Sequence, residues 1–280
     1  MIITKTDRDN FIIMQQAQDY MAEAEDLANV LQKQPDSSFS LKTLFKSWTV
    51  NDVIGHLYMF DVAALETLKG ADAFDAFYAP IAKQLGEGRT LLQCQYPYLG
   101  ELTGRALFEK WRVNSKKLGV AYLNADPKLR VKWAGPSMST VSNITSRQME
   151  TWSHGQEIFD ALGIAQSAKD RIRNICHLGV ATFDWSFLNR GIPVPEPAPY
   201  VNLTAPSGII WEWNDAWSPH SISGDALEFA QVVTQVRGIQ DTKLNMVGSV
   251  TKQWMQIAQC FAGKPEMPPL KGTRFRKKNN

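Results

Sequence analysis

Cysteine and long apolar runs are scarce in this chain of 280 residues, and each shortage excludes a class of protein. The three cysteines, Cys94, Cys176 and Cys260, lie far apart and form neither a CxxC motif nor a disulfide framework. No apolar run approaches the roughly 18 to 20 residues that a transmembrane helix needs. The first residues, MIITKTDRDNF, lack the apolar stretch and cleavage site of a secretory signal. We therefore expect a protein of the reducing cytoplasm that does not enter a membrane.

Positive charge is also scarce outside the last ten residues. The formal net charge is +2, but five of the 30 basic residues lie in KGTRFRKKNN, which contains no acid. The rest of the chain carries 25 basic and 28 acidic residues, so it is mildly acidic and no nucleic-acid-binding surface is expected. The basic tail is predicted to be a frayed, exposed terminus, with contact to a polyanion as the alternative.

Apolar residues recur at a spacing of three to four through most of the first 190 positions, which predicts helices. Thr49 and Asp52 form a capping-box variant before one helix, and Ser139 or Thr140 is predicted to cap another. The sequence RTLLQCQYPYLGELTG is predicted to be an irregular crossover. The predicted helices cover about 7–34, 50–69, 71–86, 102–124, 140–162 and 167–189.

The pattern changes at GIPVPEPAP, where four prolines predict a stiff, extended linker. After it, YVNLTAPSGIIWEWN predicts two strands around a Pro-Ser-Gly turn. A helix over about 225–236, a strand in KLNMVG and a last helix in SVTKQWMQIAQCFAG follow. The fold class is therefore predicted as α+β, mainly α. The predicted parts are a helical bundle (1–190), a linker (191–199), a small α+β domain (200–264) and a basic tail (265–280).

The four histidines allow a metal site to be considered. In QMETWSHGQEIF, Glu150 and His154 are four residues apart on a predicted helix and therefore share one face. His56, from another helix of the bundle, would complete a set of two histidines and one carboxylate. Such a set suits zinc, iron or nickel and leaves positions open for water or substrate. From the spacing alone, a surface Glu–His pair is the alternative, and His177 and His220 are interpreted as ordinary helix and loop residues.

Two segments resemble signatures of a known family. WTVNDVIGHL is similar to the W-T-V-x-D-x-x-x-H-L signature of the N-terminal domains of mycothiol-dependent maleylpyruvate isomerases, within the DinB-like group of metal-binding four-helix bundles. SRQMETWSHGQEIFDALG is similar to that group's R-x-x-E-x-W-x-H-G-x-D-x-x-x-A-L-G signature. The resemblance implies a DinB-like bundle in which His56, Glu150 and His154 bind a divalent metal, usually zinc. The chain departs from the family at FKSW, where relatives often have Pro-Gly before the tryptophan, and at Glu157, where aspartate is usual.

The resemblance also implies an activity. The C-terminal part is similar to a subgroup described only as uncharacterised metal-binding proteins. The family chemistry is that of thiol-dependent isomerases and S-transferases, in which the metal activates a low-molecular-weight thiol cosubstrate, or water, for attack on a small electrophilic substrate. The isomerase's C-terminal domain supplies an arginine, to which Arg237 is matched by context as a catalytic candidate.

Two further expectations concern neighbours of the proposed ligands. Trp152 is predicted to point away from the site, and Arg147 to meet Glu150 or a substrate anion. The alternative function is a non-catalytic metal-binding protein whose C-terminal domain binds a small apolar ligand near Phe229 and Trp254.

Overall fold

The structure is a computed structural model and describes residues 14–278. Within this range the fold is α+β and mainly α, as predicted. The strands are β1 (Arg130–Val131), β2 (Met138–Ser139), β3 (Tyr200–Thr204), β4 (Ile210–Trp213), β5 (Ser221–Asp225) and β6 (Asn245–Val247). The helices are α1 (Gln15–Leu31), α2 (Val50–Lys69), α3 (Ala71–Gly86), α4 (Leu91–Leu99), α5 (Gly104–Leu123), α6 (Thr140–Leu162), α7 (Arg173–Ala181), α8 (Phe183–Leu188), α9 (Ala226–Val233) and α10 (Ser249–Met255).

Four long helices, α1, α2, α5 and α6, pack against one another and form the predicted bundle. The shorter α3 and α4 follow α2 and pack on its outer side. Apolar side chains at helical spacing face inward, and the buried tryptophan Trp111 of α5 lies in one of the bundle's core clusters. Among residues 14–278, no helix is long and apolar enough to cross a membrane.

Local capping signals set the register of α2 and α6. Thr49 accepts the Asp52 backbone N–H at 3.1 Å, and the Asp52 carboxylate accepts the Thr49 N–H at 2.9 Å, so the predicted capping box is confirmed. Ser139 caps α6, and Gly163 ends it in the left-handed conformation with φ +73°. His56 therefore lies in the second turn of α2, and Glu150 and His154 lie in the middle of α6.

Two predicted elements of the bundle were wrong. The predicted crossover contains α4, which begins with a capping box between Thr90 and Gln93 and tolerates Pro97 near its end. The helix predicted over 167–189 is instead a 3-10 turn followed by α7 and α8, which are separated at Thr182. The Thr182 hydroxyl donates to the carbonyl of Leu178 at 2.7 Å, a side-chain contact that competes with continuation of the helix.

The C-terminal sheet has the strand order β4-β3-β5-β6. The predicted β3–β4 hairpin is present, and β3 pairs in parallel with β5, a strand that the sequence interpretation missed. Helix α10 ends at Met255 and so is shorter than predicted. Trp254 and Phe229 pack in the core of this sheet, and Trp152 of α6 enters the same core. Trp152 thus points away from the proposed ligands, as predicted.

The basic tail is mostly exposed, as predicted, but it is not frayed as far as residue 278. The Lys277 backbone N–H donates to the Asp160 carbonyl at 2.9 Å. Arg274 pairs with Glu157 at 2.6 Å, and both side chains are largely buried. The tail is therefore bound to the last turns of α6 by one ion pair and one backbone hydrogen bond, long-range contacts that the local sequence does not reveal.

Candidate metal centre

Helices α2 and α6 bring the three predicted ligands together. His56 Nε2 lies 3.1 Å from Glu150 Oε2, and His154 Nε2 lies 3.3 Å from the same oxygen. The two imidazole rings are 4.8 Å apart between centroids. One potential ligand atom from each residue lies within 4.8 Å of the others, so the three side chains form one cluster.

The cluster is largely shielded from water, and this sets its charges. The exposed fractions of the side chains are 8% for His56, 10% for His154 and 22% for Glu150. Burial lowers the pKa of His56 to about 4, although its hydrogen bond to the Glu150 carboxylate opposes the shift. Burial acts against ionisation of Glu150, but hydrogen bonds from His154 and His56 hold its pKa well below the ordinary value. At neutral pH, His56 is therefore a neutral donor and Glu150 an anion, which are the forms that bind metals.

These residues fit a divalent metal. In a tetrahedral zinc site with bonds of about 2.1 Å, two ligand atoms are separated by about 3.4 Å. The separations of 3.1 and 3.3 Å between the histidine nitrogens and the glutamate oxygen are close to that value. His56 Nδ1 is buried and has no hydrogen-bond partner among residues 14–278. Both Nε2 atoms lie beside the same Glu150 oxygen, so these are the nitrogens that would bind a shared ion.

Aromatic side chains form a wall around the histidines. Phe45 contacts His154 edge-on at 5.1 Å between ring centroids, and Trp48 stacks on His154 at 6.2 Å. Phe60 lies 4.9 Å from the His56 ring. The motif drew attention to Trp48, but sequence reasoning did not identify Phe45 or Phe60. Because such a wall excludes water, charges inside it interact more strongly than they would in bulk solvent.

A buried ionic network lies beside the cluster. Arg147 donates from Nε to Asp61 Oδ1 at 3.0 Å, and the exposed fractions of the two side chains are 3% and 0%. Tyr20 donates its hydroxyl to the other Asp61 oxygen at 2.7 Å. Arg147 was predicted to meet Glu150 or a substrate anion, but its ion-pair partner is Asp61. The fully buried carboxylate on α2 requires a cation, and Arg147 is the cation that reaches it.

The C-terminal part brings two arginines toward α6. Arg237 binds Asp160 at 2.7 Å between Nη2 and Oδ2, six positions beyond His154 along α6. Its catalytic role stays a prediction. Arg274, which sequence reasoning did not identify, places its guanidinium 5.3 Å from the ring centroid of Phe45. Arg274 therefore contacts the aromatic wall of the centre directly.

The remaining histidines and the cysteines lie outside the cluster. His177 Nδ1 accepts a hydrogen bond from the Trp213 indole at 3.2 Å. All three cysteines are buried and reduced. Burial raises the pKa of Cys176 and of Cys260 far above the ordinary range, so neither supplies a thiolate at neutral pH.

Comparisons with known proteins identify the family of this chain and proteins of similar fold. The family model of the mycothiol maleylpyruvate isomerase N-terminal domain matches residues 20–159, which include His56, Glu150 and His154. Two uncharacterized proteins, from the CDC 1551 and H37Rv strains of Mycobacterium tuberculosis, are 33% identical over 248 residues, which is 88% of this chain and 95% of theirs. The crystal structure of the mycothiol-dependent maleylpyruvate isomerase superposes with a TM-score of 0.51 at 16% identity, covering 78% of this chain and 87% of that one. A histidine-to-alanine mutant of that enzyme gives the same TM-score at 15% identity.

Proposed function

The chain belongs to the family of the mycothiol maleylpyruvate isomerase N-terminal domain, and from this premise we propose that it is a metal-dependent enzyme using a low-molecular-weight thiol. The reaction would be attack of the thiol on a small electrophilic substrate, as in a thiol-dependent isomerase or S-transferase. The observation that carries the proposal is the convergence of His56, Glu150 and His154 on one point. These residues would hold a divalent metal, for which zinc is our first choice and nickel and iron are the alternatives.

The bound metal and its protein ligands would have different roles at such a site. A bound divalent cation would supply a Lewis acid that lowers the pKa of a thiol or a water molecule. Glu150 contributes one negative charge, and the two imidazoles contribute neutral nitrogen donors. Three protein ligands leave coordination positions free for exchange. Because the thiols of Cys176 and Cys260 are buried and have raised pKa values, the nucleophilic thiol would come from a cosubstrate.

The aromatic wall supports a small, partly apolar substrate. Phe45, Trp48 and Phe60 contact the histidine rings and exclude water from their faces. Glu150 is the most exposed of the three proposed ligands, so the centre opens toward solvent on its side. A thiolate held among apolar rings loses hydration, which favours its reaction with an electrophile.

The alternative function requires an apolar ligand site in the C-terminal domain. Phe229 and Trp254 are fully buried and pack on each other at 5.8 Å between ring centroids. Their faces are occupied by the domain's own core, so they do not line an open pocket. The structure therefore favours the core interpretation of these two aromatic residues over ligand binding.

Metal analysis of purified variants tests the centre. We expect about one divalent metal per chain in the unmodified protein and strongly reduced content in His56→Ala, Glu150→Ala and His154→Ala. His177→Ala is the matched control, since His177 lies outside the cluster, and it should retain the metal. Full metal occupancy in all three ligand variants would contradict the site.

Thermal unfolding with added thiols tests the cosubstrate. Mycothiol, bacillithiol, glutathione and coenzyme A would each be added to metal-loaded and to chelator-treated protein. A ligand that binds only the folded state raises the unfolding temperature, so we expect one of these thiols to do so only when metal is present. If none of the four thiols raises the unfolding temperature of the metal-loaded protein, thiol transfer is the wrong chemistry even if the metal site is correct.

A further inference from the structure

The last described residues leave the C-terminal domain and return to the metal centre. We call residues 265–278 the C-terminal strap. Its start is fixed to the C-terminal domain, because the Glu266 N–H donates to Gln259 Oε1 at 3.0 Å and the Glu266 carbonyl accepts from Gln235 Nε2 at 3.1 Å. Further along, the Gly272 N–H donates to Asp241 at 2.9 Å. Hydrogen bonds to the C-terminal domain therefore fix the first part of the strap before it reaches the bundle.

The strap then contacts the segment that carries the aromatic wall. We call residues 41–49 the site loop. Lys46 of the loop forms an ion pair with Glu266 at 2.7 Å, and the Lys277 ammonium donates to the Lys42 carbonyl at 3.3 Å. Between these two contacts, the Arg274 guanidinium lies over the Phe45 ring at 5.3 Å. Three side-chain contacts thus join the strap to the site loop.

The same strap is also bound to α6, the helix of Glu150 and His154. Arg274 pairs with Glu157 at 2.6 Å, one turn beyond His154, and the exposed fractions of the Arg274 and Glu157 side chains are 15% and 4%. The Lys277 N–H donates to the Asp160 carbonyl at 2.9 Å. Arg274 therefore contacts the site loop and α6 at once.

The site loop holds two residues in an unfavourable backbone conformation. Lys46 and Ser47 have φ values of +49° and +59°, in the left-handed region that is unfavourable for residues with a side chain. This conformation costs roughly 1 to 2 kcal/mol per residue and persists where the surroundings over-determine it. The Thr43 N–H bonds to the Trp48 carbonyl at 2.8 Å and closes the turn. That bond closes the loop on itself, and Trp48 of the loop packs on His154 of α6.

We propose that Arg274 is a positioning residue of the metal centre: anchored by Glu157 on α6, its guanidinium holds Phe45 against His154 and so fixes the orientation of that imidazole. The inference rests on the proposed function in treating His154 as a metal ligand. It gives Arg274 no contact with substrate. Residues that orient a ligating histidine from outside the coordination shell influence metal affinity by about 10- to 100-fold when they are changed.

Two measurements on full-length variants test the role of Arg274. The first is the imidazole NMR spectrum of the metal-free protein, in which His177 and His220 serve as internal references. The second is the affinity for cobalt(II) added alone. We expect Arg274→Gln to shift the His154 ring signals and to weaken cobalt binding about tenfold. Arg274→Lys keeps the charge opposite Glu157 but loses the planar group over Phe45, so it should recover part of the affinity.

Arg276→Gln is the matched control. Arg276 lies two positions further along the strap, is exposed, and forms no ion pair or hydrogen bond with the residues that the structure describes. Its replacement should change neither measurement. The double variant Arg274→Gln with Glu157→Gln removes both buried charges. It is therefore expected to fold even if Arg274→Gln alone does not. It should still shift the His154 signals.

The outcomes separate the two proposals. If Arg274→Gln and Arg276→Gln give the same His154 signals and the same cobalt affinity, the positioning role is overturned. If the unmodified protein binds no cobalt, the proposed function fails. The metal-free spectra of the same variants would still decide whether Arg274 orients His154.

Discussion

The buried Tyr20–Asp61–Arg147 network gives the sharpest prediction about stability. Asp61 lies at the centre, accepting from Arg147 at 3.0 Å and from Tyr20 at 2.7 Å. Burial opposes the charge on Arg147, but the negative charges of Asp61 and Glu150 raise the pKa of its guanidinium, so it remains a cation. Asp61→Asn keeps the shape of the side chain and removes the charge that is paired directly with this cation.

The expected decrease in the free energy of unfolding follows from the burial of both Asp61 and Arg147. Removing one member of a buried ion pair destabilises a protein by about 3 to 5 kcal/mol, because the other charge stays buried without compensation. Asparagine can still accept one hydrogen bond, so we expect a value near the lower end, about 3 kcal/mol. With a typical slope of about 1 to 3 kcal/mol per molar urea, this corresponds to a lowering of the unfolding midpoint by about 1 M or more.

Urea unfolding monitored by circular dichroism provides the assay. Asp75→Asn is the matched control, because Asp75 pairs with Lys132 at 2.6 Å but both side chains are about half exposed. An exposed pair contributes about 0 to 1 kcal/mol, so the control should lose little. Arg147→Met and its combination with Asp61→Asn complete a double-mutant cycle, in which the double variant should lose less than the sum of the single losses. Equal costs for Asp61→Asn and Asp75→Asn, or additive losses in the cycle, would refute the reasoning.

Two further predictions concern Glu157 and the packing of α7. Burial raises the pKa of Glu157 to about 7 from an ordinary value of 4.5, with Arg274 acting in the opposite direction. The protonated form therefore adds stability that is fully present below pH 4.5 and is lost as the pH rises through 7. Urea unfolding at pH 5 and pH 8 should show a loss of about 2.5 kcal/mol that Glu157→Gln lacks, and an equal pH dependence in both proteins would contradict the assignment. A methyl group at Gly179 would lie 2.7 Å from Val233 Cγ2, so Gly179→Ala should destabilise the protein by about 1 to 3 kcal/mol. At Gly86 an added methyl group meets open space, so Gly86→Ala should not destabilise the protein. Equal unfolding temperatures for the two alanine variants would contradict this packing.

The ligand cluster could be predicted because its signals are local. Thr49 with Asp52 marks the start of α2, while Ser139 and Gly163 mark the two ends of α6. Once these ends are known, the spacing of residues within each helix decides which side chains share a face. The pairing of α2 with α6 then came from the resemblance to the family and not from the periodicity of either helix.

The surroundings of the cluster could not be predicted, because long-range pairing decides them. Arg147 is three residues before Glu150, and helical spacing made that carboxylate, or a substrate anion, its expected partner. In the folded chain a buried carboxylate from α2, Asp61, binds the guanidinium instead, since a buried charge without a partner is far more costly than an unmade surface contact.

The same reasoning applies to the basic tail. Its residues were interpreted as a solvated terminus because their partners on α6, the Glu157 carboxylate and the Asp160 carbonyl, lie more than a hundred positions earlier in the chain. Single-sequence patterns identify which side chains can bind a metal. The side chains that hold those ligands in place depend on which faces of the helices become buried. At this centre they include Arg274 of the strap.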